Sequence, residues 1–167
     1  KQLQAALAAD GISADEFEQT RQAPGIQRAL ALFRLDMRTE AAREWNWTMR
    51  NQDDRFLIAA AQLAQQLGVY DRARNAADRT RSEHDYSLRY LAPYRDRIEP
   101  NARQRDLDTG WVYGLIRQES RFVTAARSGV GAQGLMQIMP ATGQWVAGKR
   151  GMKGYNVGWL QEPDTSV

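Results

Sequence analysis

Glu119 stands in the stretch GLIRQESRF, Gly114–Phe122, where a helix would ordinarily present an aliphatic side chain. Trp111, Val112, Leu115, Ile116, Phe122 and Val123 fall at the spacings that build one apolar stripe on a 3.6-residue helix. Glu119 lies on that stripe, one turn beyond Leu115 and Ile116, while Arg117, Gln118 and Arg121 point elsewhere. A carboxyl group among apolar side chains loses hydration when ionised, so the spacing predicts one that holds its proton more tightly than usual. That property turns a glutamate into a general acid near neutral pH. Between Glu119 and Glu162 there is no Asp or Glu, whereas Arg121, Arg127, Lys149, Arg150 and Lys153 are all positive. Ordinary glycoside hydrolysis uses two carboxylates, roughly 5–5.5 Å apart for retention or about 6.5–9.5 Å for inversion. Here the second one is missing from the sequence neighbourhood, though Asp106, Asp108, Glu162 or Asp164 could fold back. A one-carboxylate site can instead take its nucleophile from the substrate, through a neighbouring acetamido group and then an internal hydroxyl. The positive charge around Glu119 suits an anionic polymer, although an arginine reaching the carboxylate would oppose its protonation.

Other chemistries are sparse. Without cysteine there is no thiol nucleophile, disulfide, Fe–S cluster or cysteine-ligated zinc. His84 is the only histidine, it sits in the polar stretch Ser82–Asp85, and no serine lies in a G-x-S-x-G element, so a Ser-His-Asp triad has no support. No D-x-D-x-D-G loop is present. No metal and no cofactor are therefore expected. The 43% hydrophobic and 26% charged residues are those of a globular protein, and no apolar run approaches the roughly 20 residues of a membrane span. Lys1–Asp10 reads as a polar-faced helix start and not as a signal peptide. The net charge is +3, and through residue 108 the arginines are interleaved with Asp and Glu, the pattern of an ion-paired helical surface. No basic run interleaved with aromatics points to nucleic acid.

The elements that must position Glu119 divide by texture near residue 105. Before it Ala, Leu, Arg and Gln dominate and strand patterns are absent. Ser13 with Glu16 forms a capping box for a helix through about Gln22, which Pro24-Gly25 ends. Further helices are expected around Ala29–Leu35, over roughly Glu40–Met49 with Trp45 and Trp47, from a cap within Asn51–Asp54 through Leu67, and over Tyr70–Arg79. Leu35 and Ala41 match Leu67 and Ala73 at an offset of 32 residues, a helix-hairpin period, and LGVYDRA resembles the middle of a tetratricopeptide unit. Ordinary antiparallel helices would give the same pattern. After Pro93 and Pro100 glycine becomes frequent. Asp108 or Thr109 can cap the Glu119 helix, Ser128–Gly134 is a loop whose glycines permit positive φ and close approach, and Leu135–Met139 is a short helix or turn. Pro140 opens another helix to about Ala147. Leu135, Met136, Ile138 and Met139, together with Trp111 and Trp145, are expected in the core.

ESRF (Glu119–Phe122) followed by SGVGAQGLMQIMPAT (Ser128–Thr142) resembles the first two motifs of the soluble lytic transglycosylases of the lysozyme-like superfamily. The clear resemblance covers about residues 109–150, and the preceding array is similar in kind to the superhelical part of the large periplasmic members. The resemblance implies an all-α protein: a helical-hairpin array, residues 1–100, followed by a lysozyme-like helical catalytic domain, residues 101–167, that reads as cut short at its C-terminal end. The family's third motif, a Tyr-Asn element, has no convincing counterpart, since YNV at Tyr155–Val157 has the wrong flanks and spacing. The implied reaction is cleavage of the β-1,4 bond between N-acetylmuramic acid and N-acetylglucosamine without water, leaving a 1,6-anhydro ring. Glu119 would act as acid and then base, Ser120 would bond near the acetamido group, and Met136 and Gln137 would line the sugar cleft. Gly131 and Gly134 would be structural. The implied partner is the peptidoglycan glycan strand and the implied address is the periplasm. A site lacking the family's later helices would be open to water, so weak activity or none is expected of this stretch by itself. A hydrolytic lysozyme and a noncatalytic helical scaffold binding glycan or protein remain as alternatives.

Overall fold

The computed structural model describes residues 11–166, and the helix start expected over Lys1–Asp10 lies outside the described residues. The described part is all-helical: α1 (Ala14–Gln22), α2 (Pro24–Arg34), α3 (Arg38–Thr48), α4 (Asp54–Gln66), α5 (Tyr70–Ala77), α6 (Tyr86–Arg89), α7 (Arg95–Gln104), α8 (Thr109–Glu119), α9 (Pro140–Arg150) and a 3-10 segment (Val157–Gln161). It forms two compact units, one ending at Leu91 and one beginning at Ala92.

In the first unit, local capping sets the helix limits. The Ser13 hydroxyl accepts from Glu16 N while the Glu16 carboxylate accepts from Ser13 N at 2.8 Å, the reciprocal capping box expected from the sequence. α1 ends at Gln22, just ahead of Pro24 as expected, and Pro24 also opens α2, where its missing N–H costs nothing. The Asp53 carboxylate accepts from Phe56 N at 2.7 Å and starts α4. Apolar positions of α4, among them Leu57, Ile58 and Leu63, join Ile26, Leu30, Trp45 and Met49 in one core. Ala60, Ala61 and Ala64 meet Ala73, Ala76 and Ala77 of α5, and such small side chains let the two helices approach closely.

The 32-residue offset is a conformational repeat. At the α2–α3 corner Met37 N donates to Leu32 O at 3.0 Å and Asp36 N to Phe33 O at 3.1 Å. At the α4–α5 corner Val69 N donates to Ala64 O at 2.8 Å and Gly68 N to Gln65 O at 3.0 Å. Both corners are Schellman motifs with the middle residue left-handed, Asp36 at φ 57° and Gly68 at φ 71°. Leu35 and Leu67 are exposed at the corners, whereas Ala41 and Ala73 are fully buried one turn later. Arg38 ties the two hairpins together through Asp71 at 2.7 Å, and buried Arg72 donates to Asn46 Oδ1 at 2.8 Å.

In the second unit Pro100 lies inside α7. Asp108 caps α8, its carboxylate accepting from Trp111 N at 2.7 Å. The helix opened by Pro140 continues past Ala147 to Arg150, where Gly151 at φ 65° supplies the left-handed stop. Gly143 of α9 packs against the Tyr155 hydroxyl and Leu160, so the 3-10 segment lies along α9. Between them is a small apolar cavity of about 90 Å³ edged by Val146, Tyr155 and Trp159. Trp111 and Trp145, expected in the core, are 62% and 63% exposed. Helical spacing told which face they share, not whether anything covers it.

Candidate active site

Glu119 is the last residue of α8, and it is exposed. The stripe on which it lies is real at Val112 and Ile116, both buried, but the apolar cover stops before the final turn. The apolar surroundings expected for its carboxyl are therefore not built by the described residues. Among these residues Glu119 has no hydrogen-bond or ion-pair partner, so neither a second carboxylate nor an arginine engages it. Asp108 cannot do so, because it caps the opposite end of an 11-residue helix, roughly 16 Å away. Asp164 is ion-paired to Arg97.

The chain leaves α8 by a strained turn. Arg121 and Phe122 are consecutive left-handed residues at φ 53° and 67°, a conformation costing about 1–2 kcal/mol per non-glycine residue. Burial of Phe122, whose ring lies 6.2 Å from that of Tyr113, offsets this. The Tyr113 hydroxyl donates to Pro93 O at 3.2 Å, and partial burial, then the nearby Glu99 carboxylate, push it above the usual tyrosine range. Nothing in ESRF announces this turn, since neither residue is a turn former.

Ser120 is buried, and its hydroxyl donates to Ile116 O at 3.3 Å, closing the last turn of α8. A ladder of backbone bonds then connects α8 to the glycine loop: Val123 N to Ser120 O at 3.1 Å, Ala126 N to Val123 O at 3.1 Å and Gly134 N to Ala126 O at 2.9 Å. Ser128 and Ala132 close the loop on itself, through Ser128 N to Ala132 O and Ala132 N to Ser128 Oγ, both 2.9 Å. Gln133 and Ile138 exchange both backbone bonds at 3.0 Å, which makes Gly134–Gln137 a tight turn. That turn drives Leu135 into the core and leaves Met136 half-buried. Gln137, left-handed at φ 49°, donates from Nε2 to Ala126 O at 3.2 Å and to Gly134 O at 2.9 Å. Ser120 and Gln137 thus sit on one hydrogen-bonded framework, whereas no hydrogen bond among the described residues joins either to the Glu119 carboxylate.

Two bracing residues escaped the sequence reading. Buried Gln133 accepts at Oε1 from Gln161 Nε2 at 3.0 Å, and Gly134 at φ 76° lies directly against the Leu160 carbonyl. The close approach that Gly134 permits is to the chain's own backbone. Gly131 at φ 97° faces open space. The glycine was the only local signal for the first contact, and Gln161 carried none. Lys149 lies over the exposed Trp145 ring, 5.6 Å from its centroid, so part of the basic charge expected around the site is held there. Among the described residues no group of His, Cys, Asp or Glu could hold a metal ion, and no helix is long and apolar enough to cross a membrane.

Comparison with known proteins places both units. The family model "Soluble lytic murein transglycosylase L domain" matches residues 19–82 and the "Transglycosylase SLT domain" matches residues 96–167. The chain is 26% identical over 147 residues to the soluble lytic murein transglycosylase of Salmonella typhimurium, covering 87% of this chain and 23% of that protein. A solved structure of an inactive glutamate-to-glutamine mutant of the lytic transglycosylase Slt from Pseudomonas aeruginosa superposes with a TM-score of 0.78 and 32% identity, over 94% of this chain and 26% of that one. The 70 kDa soluble lytic transglycosylase of Escherichia coli shares the fold at a TM-score of 0.73 and 22% identity, over 95% of this chain and 25% of that one. The chain spans about a quarter of the length of these relatives. The two models match in tandem along one stretch of helices, so the chain is similar, unit by unit, to the L domain and the transglycosylase domain of soluble lytic murein transglycosylases.

Proposed function

We propose that this chain is part of a periplasmic peptidoglycan lytic transglycosylase, in which Glu119 alone serves as acid and base for non-hydrolytic cleavage of the MurNAc-β-1,4-GlcNAc bond. Residues up to about 100 would belong to the superhelical scaffold and those beyond to the catalytic domain. The observation that carries the reading is the unpartnered, exposed Glu119 at the end of α8, a helix connected by backbone bonds to a glycine turn locked by Gln137.

In the reaction, protonated Glu119 gives its proton to the glycosidic oxygen as the bond from C1 to that oxygen breaks. The muramyl acetamido oxygen attacks C1 and holds the developing positive charge. Glu119, now a carboxylate, takes the proton of the C6 hydroxyl, and O6 displaces the acetamido oxygen from C1. The 1,6-anhydro ring closes, Glu119 is protonated again and no water is consumed. Ser120 spends its single O–H on Ile116 O, so its lone pairs remain to accept from the acetamido N–H. Gln137 spends its amide protons on Ala126 and Gly134, so it can offer a sugar hydroxyl only its Oε1 acceptor. Met136, half-buried, would present its thioether to the sugar face. Because Glu119 is exposed in this stretch of chain, the bound glycan must itself displace water from the carboxyl for the acid step to proceed.

Digestion of purified sacculi tests the reading. The parent protein should release anhydromuropeptides and its Glu119→Gln variant should not. Equal release by the variant would place the catalytic group elsewhere, and a wild-type protein that binds sacculi without releasing anything would make the chain a scaffold.

A further inference from the structure

The first unit contains a hollow that the reaction does not use. It has a volume of about 940 Å³ and lies between the α3–α4 corner, around Arg50–Asp54, and the loop after α5, around Arg79–Glu83. Its acidic groups are all engaged within the fold. Asp53 caps α4 through Phe56 N. Asp54 accepts from Arg81 N at 2.9 Å, Ser82 N at 2.6 Å and Glu83 N at 2.9 Å. Glu83 pairs with Arg55, which also grips Glu16. Arg50, Arg79 and Arg81 line the same hollow, and no carboxylate pairs with them among the described residues. Arg50 is stacked 4.4 Å from the ring centroid of Trp47, an indole 64% exposed at the rim, which pre-orients its fork. A second hollow of about 420 Å³, sharing Arg50, Asn51 and Gln52, continues past Trp47.

We infer that this hollow is a second binding site, which takes a carboxylate-bearing peptide, and that its occupant is the peptide arm of peptidoglycan. Guanidinium forks match carboxylates two bonds at a time, and the lining carries four arginines, Arg50, Arg55, Arg79 and Arg81, against Asp53, Asp54 and Glu83. A hollow of this size, extended by its neighbour, suits a segment of chain with several carboxylates better than one small anion. Naming the peptide arm rests on the proposed function; the preference for acidic peptide rests on the arginines alone. Such a site would hold a strand through its peptides while Glu119 works on the glycan.

The test is titration of the full chain with the free-acid stem tetrapeptide, L-alanyl-γ-D-glutamyl-meso-diaminopimelyl-D-alanine, followed by calorimetry and by arginine side-chain NMR signals. Saturable binding is expected, weakened at least tenfold by amidation of the peptide carboxyls and at least tenfold in Arg79→Gln/Arg81→Gln. It should be unchanged in Glu119→Gln. Both arginine changes leave the backbone bonds to Asp54 in place, and unchanged circular dichroism verifies the fold. No saturable binding, equal affinity in the double variant, or inorganic phosphate binding as tightly as the peptide would each overturn the inference. Failure of the proposed reaction would show separately, as sacculi that yield no anhydro products, and would leave arginine-dependent binding of acidic peptide standing.

Discussion

Replacing Gly134 by alanine probes the brace that holds the glycine turn. Gly134 is left-handed at φ 76°, and a Cβ built there overlaps the Leu160 carbonyl oxygen and lies 2.6 Å from its carbonyl carbon. The Leu160 oxygen would lie 1.5 Å from that Cβ, against ordinary non-bonded contacts of about 3.5 Å, so the 3-10 segment would have to retreat by roughly 1.5–2 Å. That retreat strains the Gln133–Gln161 bond and opens the packing of Leu160, at a cost comparable to overpacking a core, about 1–3 kcal/mol. The left-handed conformation adds about 1–2 kcal/mol. Gly131→Ala is the internal control, because φ is 97° there but nothing lies within 4 Å of its Cβ. It should lose only the conformational part, about 1–2 kcal/mol. Urea unfolding monitored by Trp fluorescence should therefore separate the two variants by about 1–3 kcal/mol, which at about 1–3 kcal/mol per molar moves the midpoint by roughly 1 M. If Gly134→Ala is no less stable than Gly131→Ala, the 3-10 segment does not brace the turn and the framework argument fails.

Three further outcomes follow from individual contacts. Gln137→Ala should cost about 1–2 kcal/mol through two lost bonds, and Gln137→Glu more, because a carboxylate would face the Ala126 and Gly134 carbonyls; a glutamate variant as stable as wild type in urea would mean the amide is turned the other way. Arg55, then the Ser13 hydroxyl and amide, hold Glu16 down to about 2, below its unfolded value near 4.5. The Glu16 contribution is therefore complete above about pH 4.5 and lost as pH falls toward 2, so hydrogen exchange in α1 should quicken over that window. Glu16→Gln should flatten this slope, leaving only the part due to Glu18; an unchanged slope refutes the assignment. Burial opposes ionisation of Asp54, but three backbone N–H donors outweigh it and keep the carboxyl below its ordinary range. Asp54→Asn should cost about 1–2 kcal/mol and speed exchange of the Arg81, Ser82 and Glu83 amides, and unaltered exchange there would count against it.

What could be read from the sequence was local. Ser13 with Glu16, Asp53, Asp108, Pro140 and Gly68 act on the nearest turn of backbone, so residue type and spacing sufficed. The 32-residue offset was legible for the same reason, since each corner is a local hydrogen-bond pattern. Burial was harder. Periodicity places Glu119, Trp111 and Trp145 on helix faces, but what covers a face is decided by distant chain, and all three are exposed. Long-range contacts left little trace: Gln161 meets Gln133 across 28 residues, and Leu160 announces its approach only through the glycine it faces. The left-handed pair Arg121–Phe122 left none, because burial of Phe122 overrides its backbone preference. Within the candidate site, sequence gave residue identities, while the structure changed what two of them can offer. Ser120 and Gln137 have committed their donors internally and retain only acceptors.

In the proposed reaction Glu119 drives ring closure by the C6 hydroxyl without admitting water to C1. Digestion of sacculi by the parent protein in H₂¹⁸O, with products resolved by mass spectrometry, tests it most directly. The expected products are 1,6-anhydromuramyl ends free of ¹⁸O, absent from the Glu119→Gln digest. Reducing ends carrying ¹⁸O would contradict it and make the enzyme a hydrolase.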